Sequence, residues 1–181
     1  MKSVLSNFEM CTGCGACSFA CVVNAVEMQR DSEGFLYAVV NEEHCITCGQ
    51  CLSVCPLLRA DKEKVSARLE AFSARNRNID TLMESASGGV FTALSDEVLR
   101  KGGGVCGAVF HTDFSVHHVC AVNEEGRNQM RNSKYVQSEM GEIYAAVERK
   151  LQDGKLVLFT GTPCQTAGKK AGQKCQGYCC I

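Results

Sequence analysis

The sequence predicts an α+β protein built from two units, a small cysteine-rich unit and a longer unit in which helices and strands alternate. First, the 181 residues include 14 cysteines, far more than an ordinary core contains. Second, eight of these cysteines fall into two runs of identical spacing. Third, from Arg68 onward cysteines become sparse, and apolar residues recur with helical and extended periods in turn.

Composition excludes several classes of protein. With 45% apolar and 22% charged residues, the chain is globular rather than disordered. Its net charge of −1 gives no general attraction to nucleic acid. No stretch approaches the roughly 20 apolar residues of a membrane span, and the N-terminus lacks the apolar run of a signal peptide. We therefore expect a cytoplasmic protein, in which thiols serve as metal ligands or redox centres rather than as disulfides.

The two cysteine runs share the spacing C-x-x-C-x-x-C-x-x-x-C, and the second lies 34 positions after the first, since position 45 corresponds to position 11. In runs of this type three cysteines bind one [4Fe–4S] cluster and the last binds the other cluster. The predicted ligands of the first cluster, cluster I, are Cys11, Cys14, Cys17 and Cys55. Those of the second, cluster II, are Cys45, Cys48, Cys51 and Cys21. Structural zinc is the alternative, but a zinc site closes with four ligands and does not need the third and fourth cysteines at these offsets.

The elements around the runs are short. We predict a helix from Ala16 to Val26, a turn from Asp31 to Gly34 and a strand at 35–40. Residues 1–60 carry three basic and six acidic side chains, which gives this unit a net charge of −3. That charge either steers a basic redox partner weakly or simply keeps the unit soluble.

The second unit follows a charged stretch at 57–70 that is typical of a linker. Its predicted elements are an extended stretch at 68–75, a helix at 88–101, strands at 105–110 and 115–122, a helix at 141–152 and a strand at 156–159. Three glycines at 102–104 end the first of these helices. Cys106 and Cys120 fall in the predicted strands and are expected to be buried, apolar thiols.

Two junctions between elements have residues that suit ligand binding. Residues 85–89, with the sequence SASGG, open the first helix with a serine cap and glycines, so that a phosphate can approach free backbone N–H groups; a plain helix cap is the alternative. Residues 160–165, with the sequence TGTPCQ, follow the last strand. Pro163 at a first helical position places the Cys164 thiol at a helix N-terminus, where the dipole favours thiolate, although a buried cysteine is the plainer interpretation.

Three stretches together resemble a known family. They are SGGVF at 87–91, NSKYVQS at 132–138 and GTPCQ at 161–165. They look like the coenzyme F-420 hydrogenase/dehydrogenase beta-subunit proteins, and the resemblance to this family covers about residues 68–170. Its members are iron–sulfur flavoproteins, many of which have a bacterial two-cluster ferredoxin domain in front, and residues 1–60 resemble that domain. The resemblance implies a bound flavin, FAD or FMN, near Ser87, Gly88, Gly89, Ser133, Lys134, Gly161, Thr162, Pro163, Cys164 and Gln165.

Lys134 has a physical role in this prediction. A fixed cation beside a flavin stabilises the reduced anion and raises its potential. The alternative is an exposed surface lysine. The three histidines at 111, 117 and 118 are expected to be solvated or packed, and no role is assigned to them.

The resemblance also bears on the domain boundaries. The predicted division is a two-cluster ferredoxin-type domain at 1–60, a linker at 61–67, an incomplete α/β domain at 68–170 and a divergent tail at 171–181. Family members continue well beyond the GTPCQ stretch, so a truncated or frame-shifted product is one hypothesis. The other is a metal-binding tail of Cys175, Cys179 and Cys180, which the adjacency of the last two disfavours.

The predicted function is an iron–sulfur electron-transfer oxidoreductase, or a subunit of one, that passes electrons between its clusters and a flavin, a deazaflavin or an organic substrate. The expected partner is a redox protein, either a ferredoxin or another oxidoreductase subunit. The alternative is a non-enzymatic, ferredoxin-like electron carrier that binds no flavin. No residue is assigned a catalytic role.

Overall fold

The computed structural model describes residues 2–5, 8–59, 70–171 and 178–180. The predicted linker at 61–67 and most of the predicted tail at 171–181 lie outside these residues. No helix in the described ranges is long and apolar enough to cross a membrane.

The N-terminal unit is a small antiparallel sheet with three short α-helices and one turn of 3-10 helix, Phe8–Met10. Its elements are β1 (Lys2–Ser3), α1 (Ala16–Phe19), β2 (Val26–Arg30), β3 (Leu36–Val40), α2 (Gln50–Val54) and α3 (Pro56–Arg59). β3 is the central strand, with β1 and β2 paired antiparallel on its two sides. The Asp31 carboxylate closes the β2–β3 turn by accepting hydrogen bonds from the backbone N–H groups of Glu33 and Phe35.

The predicted helix from Ala16 to Val26 is wrong in its second half, because α1 ends at Phe19. Beyond it the chain turns around the sulfur of Cys21, which accepts a hydrogen bond of 3.1 Å from the backbone N–H of Ala25. Asn24 adopts a left-handed conformation with a φ of 51° in this turn, and Asn tolerates that conformation better than most residues. Val26 then begins β2, a strand that the sequence pattern does not reveal.

The C-terminal unit contains a five-stranded mixed sheet. Its elements are α4 (Ile79–Met83), α5 (Val90–Arg100), β4 (Gly104–Phe110), β5 (Val116–Ala121), α6 (Glu124–Asn128), β6 (Ser138–Glu139), α7 (Ile143–Gln152), β7 (Val157–Phe159), α8 (Pro163–Ala171) and β8 (Tyr178–Cys180). The strand order is β6-β5-β4-β7-β8. β4 and β5 pair antiparallel, and the other neighbours pair parallel. The predicted helices and strands between 88 and 159 correspond to α5, β4, β5, α7 and β7. The predicted extended stretch at 68–75 begins outside the described residues, and residues 70–76 form no regular element.

Cys106 and Cys120 form a disulfide, so the expectation of two separate apolar thiols is wrong. The register of β4 and β5 sets Cys106 directly opposite Cys120, with their Cα atoms 4.1 Å apart. Side chains of directly opposed residues project from the same face of a sheet. The sequence places each cysteine in a strand but does not fix this register, which is why the pairing is missed.

One hydrophobic core joins the two units. Ala16, Val26 and Ala38 from the N-terminal unit are buried in the same cluster as Tyr144 and Phe159 from the C-terminal unit. A second, smaller core lies between α5 and the sheet, around Val98, Val105 and Leu158. The two predicted domains therefore pack together as one body, which holds the first cysteine loop against the C-terminal unit.

Candidate cluster sites and ligand cleft

Four cysteines of the N-terminal unit line one cavity, which also has walls from β3 and from the start of α3. They are Cys11, Cys14, Cys17 and Cys55. Cys14 and Cys17 are buried, the other two are half-buried, and all four are free thiols. This is the set of ligands that the sequence predicts for cluster I.

The electrostatics of this cavity fit an iron–sulfur cluster. Burial raises the pKa of the Cys17 thiol to about 12, and the neighbouring sulfurs of Cys14, Cys11 and Cys55 raise it as well. Burial likewise raises the pKa of Cys14. Thiolates packed this closely repel one another unless cations lie between them, and cluster iron supplies that charge as the thiol protons are released.

The second predicted set of ligands comes from both cysteine runs, and the structure brings three of its four members near one another, namely Cys21, Cys45 and Cys51. Its members, Cys21, Cys45, Cys48 and Cys51, are also free thiols. Burial raises the pKa of Cys51, and the sulfurs of Cys45 and Cys21 raise it further. Cys21 from the first run therefore lies beside cysteines of the second run, as crossed ligation requires. Cys48 is exposed, so this site opens to solvent.

A larger cleft of about 530 Å³ lies between α5, the loop at 130–138 and the segment after β7. This volume suits a small-molecule or cofactor site, for which roughly 300–1,000 Å³ is usual. The cleft is lined by seven of the ten residues predicted for the flavin, namely Ser87, Gly89, Ser133, Lys134, Gly161, Thr162 and Gln165. The other three, Gly88, Pro163 and Cys164, lie outside its lining.

Gly88 faces away from the cleft, toward the extended segment before α4. A Cβ on Gly88 would collide with the carbonyl oxygen of Ala74, and the backbone N–H of Asn76 donates to the Gly88 carbonyl at 2.6 Å. Cys164 lies toward cluster I, because its sulfur contributes to the raised pKa of Cys14. The thiol of Cys164 is 3.1 Å from the hydroxyl of Thr162.

The expected serine cap on the helix at the cleft is wrong. The N-cap of α5 is Gly89, in a left-handed conformation with a φ of 69° and without a capping side chain. The Ser85 hydroxyl instead donates to the Thr81 carbonyl at 2.6 Å. An uncapped helix start leaves its first N–H groups available to a ligand. Because Gly89, Val90 and Phe91 line the cleft, those groups lie beside it.

Lys134 lies at the cleft, but its ammonium is engaged with the backbone. Nζ donates to the carbonyls of Gln129, Arg131 and Asn132 at 2.9, 2.6 and 3.2 Å. An ammonium has only three protons, so all three are used inside the loop. Burial lowers the pKa of Lys134. Its role in the structure is to hold the loop in shape, while its positive charge stays beside the cleft.

The charge of the cleft favours an anionic ligand. Arg131 lines it together with Lys134, and none of the described residues along its wall is acidic. Arg131 forms an ion pair with Glu84, and its Nε has no hydrogen-bond partner among the described residues. Asn132 joins two of the predicted stretches, because its side-chain oxygen accepts a 2.9 Å hydrogen bond from the backbone N–H of Ala86.

His118 is a residue of the cleft to which the sequence pattern assigns no role. It lines the cleft, and its ring stacks on Phe159 with 5.7 Å between centroids. Nε2 lies 3.0 Å from the Thr160 carbonyl oxygen, which can only accept, so the ring carries its proton on Nε2. Burial lowers the pKa of His118. The alternation of β5, in which Val116 and His118 are both buried, is the signal that could have identified it.

The cleft and the cluster I cavity are neighbours. Thr12, in the first cysteine loop, lines both of them. α8 lies against the same loop, since a Cβ on Gly168 would be 2.7 Å from the Cβ of Ala16 and 3.8 Å from the sulfur of Cys14. The arrangement therefore sets a cavity lined by cysteines beside a cleft of cofactor size.

Comparison with known proteins agrees with the cysteine geometry. Residues 10–57, which contain both cysteine runs, match the family described as 4Fe-4S dicluster domain. The chain is also 38% identical over 55 residues to the ferredoxin-like protein in nif region of Sinorhizobium fredii, an alignment that covers 27% of this chain and 78% of that protein. These matches define an iron–sulfur electron-transfer protein. By its N-terminal unit the chain belongs to the ferredoxin family that carries a 4Fe–4S dicluster domain.

A second relative is similar along both units. Over 173 residues the chain is 23% identical to a subunit of the F(420)H(2) dehydrogenase of Methanosarcina mazei. That alignment covers 87% of this chain and 46% of the relative. The chain therefore spans about half the length of this relative, and the similarity extends past the cysteine runs into the unit that contains the cleft.

Proposed function

We propose that the protein is a flavin-dependent iron–sulfur oxidoreductase, or a subunit of one. In this proposal Cys11, Cys14, Cys17 and Cys55 hold cluster I, Cys45, Cys48, Cys51 and Cys21 hold cluster II, and the cleft binds FAD or FMN. The observation that carries the proposal is the shared wall at Thr12, because it sets the cleft next to the cluster I cavity. The clusters would transfer single electrons, and the flavin would convert between one-electron and two-electron transfer.

The residues of the cleft have separate tasks in this proposal. The start of α5, with Gly89 as its N-cap, offers backbone N–H groups to a flavin phosphate. Arg131 and Lys134 supply positive charge, which favours a bound phosphate and an anionic reduced flavin. Gln165 shapes the far wall, where its Oε1 accepts from the Thr162 N–H at 2.8 Å and its Nε2 donates to the Ser138 hydroxyl at 2.9 Å.

The partners follow from the same arrangement. A ferredoxin or another oxidoreductase subunit would exchange single electrons with the clusters, and a deazaflavin or a reducible organic substrate would exchange two electrons at the cleft. The deazaflavin is supported by the relative named as part of an F(420)H(2) dehydrogenase, which is similar to this chain along both units.

A cleft-blocking variant tests the proposal. Ala108 lines the cleft on β4, so Ala108→Phe should fill it and abolish binding of FMN and FAD by anaerobically reconstituted protein, as followed by flavin fluorescence. Its iron content should stay that of the wild type. Ala93→Phe is the matched control, because Ala93 is exposed on α5, and it should retain flavin. Wild-type protein that holds both clusters but binds neither flavin would refute the proposal.

A non-enzymatic electron carrier is the second candidate. It is favoured by the extent of the dicluster match, which covers residues 10–57 only, and by the small ferredoxin-like relative, whose similarity is confined to 27% of this chain. In a carrier of this kind the two cysteine sites would exchange electrons with redox proteins alone. Flavin-free protein that transfers electrons between two redox proteins would support it.

A further inference from the structure

The two cysteine loops correspond by the offset of 34 residues but have different surroundings. Gly13 and Thr47 occupy equivalent positions, with φ of 65° and 54°. A Cβ on Gly13 would collide with the side chain of Gln137 and the carbonyl of Leu36, whereas Thr47 carries its Cβ in the same conformation and is exposed. A glycine is therefore required at position 13, where the loop is covered, whereas the equivalent position 47 is open and carries a threonine.

A second equivalent pair shows the same difference. Gly15 and Gly49 are both left-handed, with φ of 71° and 76°, and they precede α1 and α2. A Cβ on Gly15 would lie 3.3 Å from the Cβ of Met140 and 3.9 Å from the ring of Tyr144, but one on Gly49 would meet nothing within 4 Å. The first loop is therefore packed against the C-terminal unit at this glycine, while the equivalent glycine of the second loop has open space beside it.

Polar contacts fix the first loop to the wall of the cleft. The Gln137 side chain accepts from the Leu36 N–H at 2.6 Å, and its Nε2 lies 3.2 Å from the Leu36 carbonyl and 3.4 Å from the Thr12 carbonyl. The buried hydroxyl of Tyr144 donates its single proton between the carbonyls of Cys14 at 2.8 Å and Gln165 at 3.1 Å. Tyr144 thus touches both a predicted ligand of cluster I and a residue that lines the cleft.

We propose that Tyr144 positions the first cysteine loop against the cleft, so that the cluster held by this loop communicates with the cleft ligand while the second loop serves the external redox partner. The inference rests on the proposed function. It adds that electrons pass from the external carrier to the site in the second loop, then to the site in the first loop and then to the cleft. Reduction of a flavin in the cleft would take two single electrons from a one-electron carrier protein, which enter at the second loop, and a proton from water.

The exposure of the second loop agrees with this order. Cys48 is exposed, and the neighbouring side chains of Ile46 and Leu52 are 58% and 47% exposed. An external carrier can approach this site directly. At the first loop Cys14 and Cys17 are buried, and the C-terminal unit covers the backbone between them.

Tyr144→Phe tests the proposal without requiring a flavin. The variant removes a hydrogen bond to the Cys14 carbonyl that favours added negative charge nearby. At a fixed potential the ratio of reduced to oxidised cluster should fall, by at most about fivefold, which corresponds to the full free energy of one hydrogen bond. The shift should occur at only one of the two clusters in a redox titration followed by electron paramagnetic resonance. Tyr135→Phe is the matched control, because Tyr135 is 94% exposed, and it should move neither cluster.

A soluble dysprosium chelate identifies which cluster has shifted, because it enhances the relaxation of the more exposed paramagnetic centre. We expect the cluster shifted by Tyr144→Phe to be the one that the chelate affects less. A shift at the chelate-accessible cluster, at both clusters or at neither would overturn the inference. Failure of the wild type to bind flavin would refute the proposed function instead, since both of these measurements are made on flavin-free protein.

Gly13→Ala provides an independent second variant. Its Cβ should push the first loop away from Gln137 and slow the reduction of bound FMN by pre-reduced clusters in stopped flow. Thr47→Ala changes the equivalent position of the second loop and should leave that rate unchanged. Equal slowing in both variants, or unchanged rates in both, would contradict the order proposed for the two loops.

Discussion

At the scale of single residues, hydrogen-bond direction decides what the polar side chains of the cleft can do. Lys134 gives its three protons to carbonyls of its own loop, and His118 gives its Nε2 proton to Thr160. The sequence identifies the ligand cysteines by spacing alone, because a cluster demands that spacing. It does not reveal the partners of Lys134, which depend on the conformation of an irregular loop, or the contact of His118 with Thr160, which lies 42 residues further along the chain.

The lowered pKa of His118 predicts a loss of stability in acid. Because burial lowers its pKa from 6.5 in the folded protein, the unfolded chain binds the proton more tightly. The contribution of neutral His118 to the free energy of unfolding is therefore fully present above pH 6.5. It is lost as the pH falls through the lower pKa of the folded protein. His118→Gln should lose less unfolding free energy than the wild type between pH 8 and pH 5, roughly the range of histidine titration.

Denaturant titrations of anaerobic protein at a series of pH values measure this difference. His44→Gln is the matched control, since His44 is exposed, and it should keep the acid loss of the wild type. Identical pH profiles for His118→Gln and the wild type would rule out a titrating role for this ring.

At the scale of elements, periodicity predicts the longer helices and the central strands, but not the short elements shaped by the cysteine sites. α5 and α7 have apolar faces that pack on the sheet, so their pattern is visible in the sequence. α1 and β2 are set by the turn around the Cys21 sulfur, which no periodicity encodes. α6 is five residues long, too short for a clear period, and it is held in place mainly by Arg127.

Arg127 links α6 to α5 through hydrogen bonds. It is 2% exposed, and its guanidinium donates to the Ser95 hydroxyl at 2.8 Å and to the half-exposed carboxylate of Asp96 at 2.6 Å. Arg127→Met should lower the free energy of unfolding by about 1.5–3 kcal/mol, because it removes charge-assisted hydrogen bonds to the buried Ser95 hydroxyl and to the Asp96 carboxylate. Arg100→Met, at an exposed ion pair with Glu97, should lower the free energy of unfolding much less, because water screens an exposed pair. Equal losses in the two variants, measured by denaturant unfolding, would contradict this role of Arg127.

At the scale of the whole molecule, the two units act as one body. The sequence predicts two domains and a linker, and it gives no sign that Tyr144 and Phe159 share a core with Ala16 and Ala38. That packing is what brings Thr12 to the wall of both cavities. Three sequence stretches that lie far apart along the chain meet at the cleft because they adjoin α5, β6 and β7. The two strands belong to one sheet, and α5 packs on that sheet.

Cofactor analysis of one anaerobic preparation tests the central claim most directly. We predict about eight iron atoms per chain with the broad absorption of [4Fe–4S] clusters, together with about one flavin after incubation with FMN or FAD. Cys48→Ser and Cys14→Ser should each lose iron, since each removes a predicted ligand of a different cluster. Zinc in place of iron, or full iron content in both variants, would contradict the claim that the eight cysteines hold two [4Fe–4S] clusters.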